Sequence, residues 1–231
     1  MTLYTKKVKS ARQKIVEAAY ELSDKNMPTL TSIVETILEA AREIGSNTLL
    51  GSLPEPMILQ DVSNFLSDQN IKWAAVGGIA FAAHGYSRGT DDVDVLVESL
   101  PDNSIIRNKE YMSRFQFYAG KSHGGKHLVL DHKKGQVEFL LADNSLRIAA
   151  LSTAKTRSII KSNIPVISLE ALIGMKLQSL IDNPKRESKD KPAIVYAMIE
   201  IKNVEWLIKN LSQLEKNVLD TIVPNWQVEN P

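Results

Sequence analysis

Cysteine is absent from the 231 residues of this chain, which excludes disulfide bonds, thiolate catalysis and zinc sites with cysteine ligands. The chain also lacks an excess of either charge, because 28 Lys and Arg residues are balanced by 27 Asp and Glu residues, for a net charge of +1. It therefore has no overall attraction to nucleic acid or to an anionic membrane. We expect a protein of the reducing cytoplasm.

Long apolar runs are missing as well. The most apolar stretch, Trp73 to Ala83, is too short to cross a bilayer and is interrupted by glycines. The basic N-terminus, residues 1–14, has no apolar segment of the kind that signal peptides carry. These features predict a cytoplasmic protein without a membrane partner. With 43% hydrophobic residues, the chain is long enough for one domain with a substantial core and helical additions.

Hydrophobic periodicity divides the chain into parts. Helical patterns at Val8–Ser23 and Leu30–Ile44 predict an N-terminal helical pair that packs on the core or on another subunit, and Ser46–Pro56 is predicted to be a linker. Further helices are predicted from Met57, at Ser168–Leu180 and at Val204–Leu219. Three parts result: an N-terminal helical extension at 1–50, a core at 57–167 and a C-terminal helical part at 168–231.

Two carboxylates alternate with valines in the segment Asp92–Val97. Residues i and i+2 of a strand share a face, so Asp92 and Asp94 lie side by side while the valines point the other way. Two neighbouring anions repel each other unless a cation lies between them, and oxygen ligands suit a hard metal ion. The pattern therefore predicts a Mg²⁺ site, with Mn²⁺ as the alternative ion.

Gly77 and Gly78 lie upstream, between the apolar run Lys72–Val76 and the helical pattern Ile79–His84. A backbone without Cβ atoms at the start of a helix lets a phosphate chain approach free N–H groups. Either feature alone is common in ordinary turns and strands. Together they predict a bound nucleoside triphosphate, with its phosphates at the glycines and its metal at the carboxylates.

This combination resembles the polymerase-beta-type nucleotidyltransferase superfamily. The shared pattern is an apolar residue and two glycines, then a spacer, then acid, apolar residue, acid, here Val76 to Gly78 followed by Asp92 to Val95. The segment from Tyr86 to Thr90 resembles the Arg-x-Thr lead-in of the minimal and abortive-infection-toxin branches. The resemblance implies an α+β fold with a small mixed β-sheet packed by helices. It also implies that Arg88 and Thr90 belong to the nucleotide site.

A third acid is predicted in the hairpin formed by His127–Asp131 and Gln136–Leu141. Glu138 interrupts the apolar run of the second strand, where a lone carboxylate requires either a strand edge or a positive partner. By resemblance to the superfamily, Glu138 is the third metal ligand or the base that activates the acceptor. The alternative is a solvated residue on an edge strand.

Lys176 lies within the apolar stripe of the helix that Ser168 caps. Its ammonium either reaches water while the stem covers the core, or binds the triphosphate. In the second case, Lys176→Met keeps the stability of the nucleotide-free protein. The segment resembles the superfamily's C-terminal helix, followed by the Arg-x-x-x-Asp pattern at Arg186 and Asp190. The further acid of that pattern is absent here, where Pro192 to Ile194 follow.

Other polar residues have ordinary explanations beside functional ones. The four histidines lack the close pairing of a zinc site. Arg88 either contacts a phosphate or is an exposed loop residue. The basic segment Ser145–Leu169 either steers an RNA acceptor through phosphate contacts or is a solvated loop.

The sequence thus predicts a Mg²⁺-dependent nucleotidyltransferase that transfers NMP from an NTP such as ATP to an acceptor hydroxyl and releases pyrophosphate. The acceptor is an RNA such as tRNA, a protein or a small molecule. The resemblance implies a toxin–antitoxin or phage-defence role. The alternative is a non-catalytic binding module of the same fold, an antitoxin-like partner that acts through its N-terminal helices. These helices are also the expected surface for a protein partner or a homo-oligomer.

Overall fold

The computed structural model describes residues 56–86, 90, 92–159, 162–224 and 226. The predicted N-terminal helical pair and Arg88 lie outside these residues. The strands are β1 Trp73–Ala75, β2 Asp92–Val97, β3 Phe117–His123, β4 His127–His132, β5 Gly135–Leu141, β6 Lys155–Ile159 and β7 Ser162–Val166. The α-helices are α1 Pro56–Asp68, α2 Gly77–Ala83, α3 Asn103–Arg107, α4 Lys109–Arg114, α5 Ser145–Ser152, α6 Leu169–Asp182, α7 Glu187–Glu200, α8 Val204–Asn210 and α9 Gln213–Ile222, with a 3₁₀ turn at Pro184–Arg186.

The strands form one seven-stranded mixed sheet in the order β3-β4-β5-β2-β1-β7-β6. The pairs β2–β5 and β1–β7 are parallel, and the other neighbouring pairs are antiparallel. Strand β1 ends where β2 begins, since Ala75 is opposite Val95. Ala75 is also opposite Val166 near the end of β7. The start of β2 and the ends of β1 and β7 therefore lie together at one end of the strands, which we call this edge of the sheet.

Helices cover both faces of the sheet. The Phe65 ring of α1 makes edge contacts with the rings of Phe117 and Phe139, so α1 lies on the face to which Phe139 points. Because strand residues alternate, Glu138 points to the opposite face. Helix α6 is the centre of the C-terminal helices: α5, α7, α8 and α9 all pack against it. Its apolar stripe is buried, as its periodicity predicts.

Several local predictions are confirmed. The valines at 93, 95 and 97 of β2 are buried, as alternation predicts. The hairpin predicted around Glu138 forms from β4 and β5. Ser168 caps α6, and its hydroxyl accepts a hydrogen bond from Ala171 N at 3.2 Å. The α+β class with a mixed sheet packed by helices is also confirmed.

The structure has two C-terminal helices where the sequence predicts one. The single helix expected at Val204–Leu219 is interrupted at Leu211 and Ser212, between α8 and α9. Ser212 and Glu215 form a reciprocal capping box: the Glu215 carboxylate accepts from Ser212 N, and the Ser212 hydroxyl accepts from Glu215 N. This cap satisfies N–H groups at the start of a new helix, so the change of direction is stable. The apolar face predicted across the break is consequently split.

The basic segment after residue 145 is not a loop. It forms α5 and then the antiparallel pair β6–β7, in which Lys155 is opposite Val166 and Arg157 is opposite Ile164. Strand β6 lies at the end of the sheet and its first four residues are exposed. An exposed edge strand lacks the alternating apolar pattern that identifies half-buried strands, which explains why the sequence does not reveal it.

Among the described residues, the sheet and the C-terminal helices lie in one compact unit. The domain boundary predicted at residue 167 stays a prediction. Among the helices of the described residues, none is long and apolar enough to span a membrane.

Candidate active site

The predicted acids of β2 and β5 lie on neighbouring strands. Because β2 and β5 pair in parallel, Asp94 is directly opposite Glu138, and Asp92 is opposite Gln136. Opposite residues of paired strands have side chains on the same face, with Cβ atoms about 5 Å apart. Strand β5 lies between β4 and β2, so the interpretation of Glu138 as an edge-strand residue is wrong.

The three carboxylates differ in exposure. Asp92 is exposed at the start of β2, Asp94 is partly buried, and the Glu138 side chain is 33% exposed. The pKa of Asp94 is raised to about 6, chiefly by burial and then by the negative charges of Glu138 and Asp92, while the positive charges of Lys176 and Lys189 lower it in part. The site therefore holds more negative charge at neutral pH than its surroundings stabilise.

The glycine turn lies directly against Asp94. Gly77 has φ +58°, and a methyl group in place of its hydrogen would lie 1.8 Å from Asp94 Oδ2. A residue with a side chain therefore fits here neither in conformation nor in space. The Val76 N–H donates to the Asp94 carbonyl at 3.0 Å, which connects the turn to β2. The two halves of the predicted site are thus adjacent.

Thr90 supports the same turn. A Cβ on Gly78 would lie 2.7 Å from Thr90 Cβ, so the Thr90 side chain occupies the space that this glycine leaves. The Thr90 hydroxyl donates to the Asp92 carbonyl at 3.1 Å. Thr90 therefore holds the backbone between the glycine turn and the carboxylates. Its predicted contact with a nucleotide stays a prediction, and Arg88 lies outside the described residues.

Lys176 is buried and its ammonium binds Asp190. Lys176 Nζ lies 2.9 Å from Asp190 Oδ1, and Arg186 Nε donates to Asp190 Oδ2 at 3.0 Å. Burial alone would raise the pKa of Asp190, but the hydrogen bonds and charges of Lys176 and Arg186 outweigh it, so this pKa lies below its ordinary value. The snorkelling interpretation of Lys176 is wrong, since its side chain is 9% exposed.

The field of Lys176 also reaches Asp94, whose pKa it lowers. Lys176 thus acts electrostatically on Asp94 as well as binding the buried Asp190. Its binding to a triphosphate stays a prediction. The expectation that Lys176→Met keeps the stability of the protein is no longer tenable, because this change leaves Asp190 with Arg186 alone.

His127 and Lys189 are neighbours of the acids that the sequence does not single out. His127 Nε2 on β4 lies 3.3 Å from Glu138 Oε2. This contact follows from the register of the predicted hairpin. Glu138 is opposite Val129, and His127 lies two residues before Val129 on the same face, which makes it a diagonal neighbour of Glu138. Lys189 lowers the pKa of Asp94 from α7. No periodicity marks Lys189, because only the packing of α7 on α6 brings it near β2.

The carboxylates fit a divalent cation by chemistry. Their oxygens are hard ligands, and the pKa of Asp94 is raised because burial and the charges of Glu138 and Asp92 outweigh the positive charges of Lys176 and Lys189. Among the described residues, however, no group of three His, Cys, Asp or Glu side chains is arranged closely enough to hold a metal ion. The carboxylates thus offer oxygen ligands and negative charge to a divalent cation. A complete coordination shell would need further ligands, such as phosphate oxygens and water.

Comparisons with known proteins identify the fold. No family model and no curated protein sequence matches the chain. A solved nucleotidyltransferase-like antigenic protein from Paracoccidioides brasiliensis is 21% identical, with a TM-score of 0.52 over 73% of this chain and 87% of that one. The structure of ANT(2'')-Ia with adenylyl-2''-tobramycin is 13% identical, with a TM-score of 0.48 over 71% of this chain and 96% of that one. The fold that the sequence implies is thus confirmed: this chain has the fold of a nucleotidyltransferase-like protein.

Proposed function

We propose that the protein is a Mg²⁺-dependent nucleotidyltransferase that transfers NMP from an NTP to an acceptor hydroxyl. The observation that carries the proposal is the position of Asp94, directly opposite Glu138 and in contact range of the Gly77 turn. A protein that only needs a stable sheet has no use for a partly buried carboxylate whose pKa is raised to about 6. Such a group is explained when a cation binds to it.

The residues that would hold the metal are Asp92, Asp94 and Glu138. Mg²⁺ supplies charge neutralisation and polarisation of phosphate oxygens when bound, and Mn²⁺ has the same preference for oxygen ligands. The triphosphate would lie against the backbone of Gly77 and Gly78 (with Thr90, Arg88 and Lys176 around it) because only glycine at these positions leaves room beside Asp94 and Thr90. Lys189 adds a second positive charge near Asp94.

The reaction is an in-line displacement at phosphorus. The acceptor oxygen attacks the α-phosphorus, the bond from this phosphorus to the bridging oxygen breaks, and pyrophosphate leaves. Glu138 either ligates the metal or takes the proton of the acceptor hydroxyl, and the His127 ring lies beside it, with Nε2 3.3 Å from Glu138 Oε2. Most of the rate enhancement comes from positioning and charge stabilisation, as in other phosphoryl transfers.

The resemblance to the minimal and abortive-infection-toxin branches leads us to place this activity in a toxin–antitoxin or phage-defence system of the cytoplasm. The N-terminal helical extension, residues 1–50, is the proposed surface for a protein partner or a second copy of the chain. A binding module of the same fold remains the competing function, and it would retain the sheet without using the carboxylates.

A thermal shift experiment tests the proposal. The melting temperature of the full chain is measured with ATP, CTP, GTP and UTP, each with and without Mg²⁺. A ligand at 100 times its Kd stabilises the folded state by about 2.7 kcal/mol, which corresponds to roughly 5 to 10 °C for a chain of this size. We expect at least one Mg²⁺–NTP pair to give this shift, and no shift from the same nucleotide alone.

Matched variants locate the effect. Asp92→Asn and Asp94→Asn are expected to abolish the Mg²⁺-dependent shift. Asp220→Asn removes the same charge from an exposed position on α9 and is expected to retain it. Single Asp92 or Asp94 variants that bind Mg²⁺–NTP like the parent protein would refute this metal site. A parent protein that shows no shift with any nucleotide would favour the binding module.

A further inference from the structure

A cleft of about 630 Å³ opens beside the candidate active site, at the same edge of the sheet. Its walls come from the end of α2, strand β6, the start of α6 and the connection between α7 and α8. One row of paired residues runs across neighbouring strands at this end of the sheet. Val95 of β2 is opposite Ala75 of β1, Ala75 is opposite Val166 of β7, and Val166 is opposite Lys155 of β6. At about 4.8 Å per strand, Lys155 lies about 15 Å from the carboxylate strand.

Cations line this cleft. Lys155 and Arg157 alternate on β6, so both point to the same face, and both border the cleft together with Lys202. All three are exposed, and none of them forms an ion pair within the part of the chain that the structure describes. The positive charge of Arg157 reaches His84 on the opposite wall, where it contributes to the lowered pKa of that ring after the larger effect of burial. These cations are available for an anionic ligand.

The remaining polar groups of the cleft hold its walls. The His84 ring donates to the Ile167 carbonyl from Nε2 at 2.8 Å, and the Tyr196 hydroxyl donates to the His84 carbonyl at 3.1 Å. Glu170 accepts from the backbone N–H groups of Lys202 and Asn203 at 3.4 and 3.2 Å. Glu200 also borders the cleft, so three cations meet two carboxylates there. The Glu170 carboxylate is nearly buried and binds the backbone of the loop between α7 and α8. The exposed charges at the rim of the cleft are therefore mainly positive.

Trp206 gives the cleft an aromatic wall. It is partly buried and borders the cleft from α8, with its backbone fixed by the Asn203 cap. Exposed cations beside an aromatic ring are the combination that binds single-stranded nucleic acid, since the cations contact phosphates and the ring stacks on a base. A small anion alone would not use the ring.

We propose that this cleft binds single-stranded nucleic acid, with phosphates on Lys155 and Arg157 and a base against Trp206. The cleft cations and the carboxylates are on opposite faces at the same end of the sheet, so a strand that continues from the cleft around this end would bring its terminal hydroxyl to Asp94 and Glu138. That last step, in which the bound strand is the acceptor, rests on the proposed nucleotidyl transfer. Binding in the cleft does not.

The test measures binding of a fluorescein-labelled single-stranded RNA of about 12 nucleotides, a length within the usual site sizes, by fluorescence anisotropy over a range of salt concentrations. The full chain is used without NTP or Mg²⁺, so the result is independent of catalysis. The double variant Lys155→Gln/Arg157→Gln is compared with Lys121→Gln/Lys133→Gln, which removes two exposed charges at the opposite side of the sheet.

Each phosphate contact contributes about 0.7 to the slope of log K against log salt. We expect Lys155→Gln/Arg157→Gln to reduce this slope by about 1.4 and the affinity at about 0.1 M salt by roughly 25-fold. The control double variant is expected to bind like the parent protein. Equal binding by both double variants, or an equal loss in both, would overturn the proposal. An unchanged Mg²⁺–NTP thermal shift in the Lys155/Arg157 variant separates this site from the nucleotide site.

The fluorescence of Trp206 gives a second readout. The other two tryptophans, Trp73 and Trp226, are buried, so RNA can approach only Trp206 closely among the three. We expect RNA to quench the tryptophan emission of the parent protein, and this quenching to disappear in Trp206→Phe, which keeps an aromatic ring for packing. Quenching that persists in Trp206→Phe would remove Trp206 from the site.

Discussion

At the scale of single residues, Asp94 is held at an electrostatic cost that a bound cation would remove. Burial and the negative charges of Glu138 and Asp92 together raise its pKa to about 6, and the opposing charges of Lys176 and Lys189 do not restore the ordinary value. Lys176 is also bound to Asp190, so part of its charge is already used inside the protein. Variants that remove one charge and keep the shape of the side chain therefore test these two residues.

Glu138 is expected to act mainly in the chemical step. Glu138→Gln keeps the shape and removes the charge, so turnover should fall by orders of magnitude, while Mg²⁺–NTP affinity should fall much less because Asp92 and Asp94 remain. Single-turnover transfer and nucleotide binding are to be measured on the same preparation. The matched control is Glu205→Gln, an exposed carboxylate on α8, which should change neither quantity. Normal turnover in Glu138→Gln would return this residue to a structural role.

Lys176→Met is expected to lower both stability and nucleotide affinity. Removing one partner of a buried ion pair costs about 3 to 5 kcal/mol, and the lower end applies because Arg186 still binds Asp190. Loss of a charge-assisted hydrogen bond to the triphosphate would reduce Mg²⁺–NTP affinity by about 1.5 to 3 kcal/mol. Urea unfolding measures the first quantity and nucleotide titration measures the second.

The exposed pair of Lys191 and Glu187 on α7 provides the control. Lys191→Met makes the same substitution in a solvated ion pair, so the loss of stability should be below about 1 kcal/mol. Adding Asp190→Asn to Lys176→Met should restore part of the lost stability, because the buried charge is then neutralised. A Lys176→Met protein that loses stability but binds Mg²⁺–NTP normally would show that Lys176 is structural only.

At the scale of elements, the turn between β1 and α2 and strand β2 act as one unit. Gly77 touches Asp94, Val76 donates to its carbonyl, and Thr90 fills the space beside Gly78. Any side chain at Gly77 must displace the Asp94 carboxylate, because its Cβ would lie 1.8 Å from Asp94 Oδ2. The unit therefore connects backbone conformation to metal binding.

Gly77→Ala is expected to abolish the Mg²⁺–NTP thermal shift and to destabilise the protein. Gly124→Ala separates the two contributions, since Gly124 has φ +60°, close to the +58° of Gly77, but a methyl group added to it would have no atom within 4 Å. Both substitutions carry the strain of a positive φ, about 1 to 2 kcal/mol. Only Gly77→Ala should lose nucleotide binding, and retention of that binding would contradict the close packing of turn and carboxylate.

At the scale of the whole molecule, stability should depend on pH through Asp94. Its pKa is about 6 in the folded protein, whereas an aspartate in an unfolded chain has its ordinary pKa of 3.8, so the folded state binds more protons between these values. The contribution of the protonated carboxyl to stability is therefore complete below about pH 4 and is lost as the pH rises through about 6, with a total of roughly 2 to 3 kcal/mol.

The prediction is checked by urea unfolding of the parent protein and of Asp94→Asn between about pH 4 and about pH 7. The two proteins should be equally stable at the acid end, and Asp94→Asn should be more stable at neutral pH. Mg²⁺ should stabilise the parent protein at neutral pH and much less below the Asp94 pKa, where the carboxyl is protonated. A constant difference across the range would show that Asp94 does not titrate in this window.

The sequence by itself determined the local elements of this protein and the identity of its acids. Alternation predicts β2, the glycines predict the turn before α2, and the apolar stripe with its Ser168 cap predicts α6, because these features depend on neighbours within a few residues. The packing of strands and helices decided the rest. Strand pairing placed Asp94 opposite Glu138, the packing of α7 on α6 gave Lys176 its partner Asp190, and exposed β6 became visible only beside β7. These contacts join residues far apart in the chain, and the periodicity of one element does not identify which distant element packs against it.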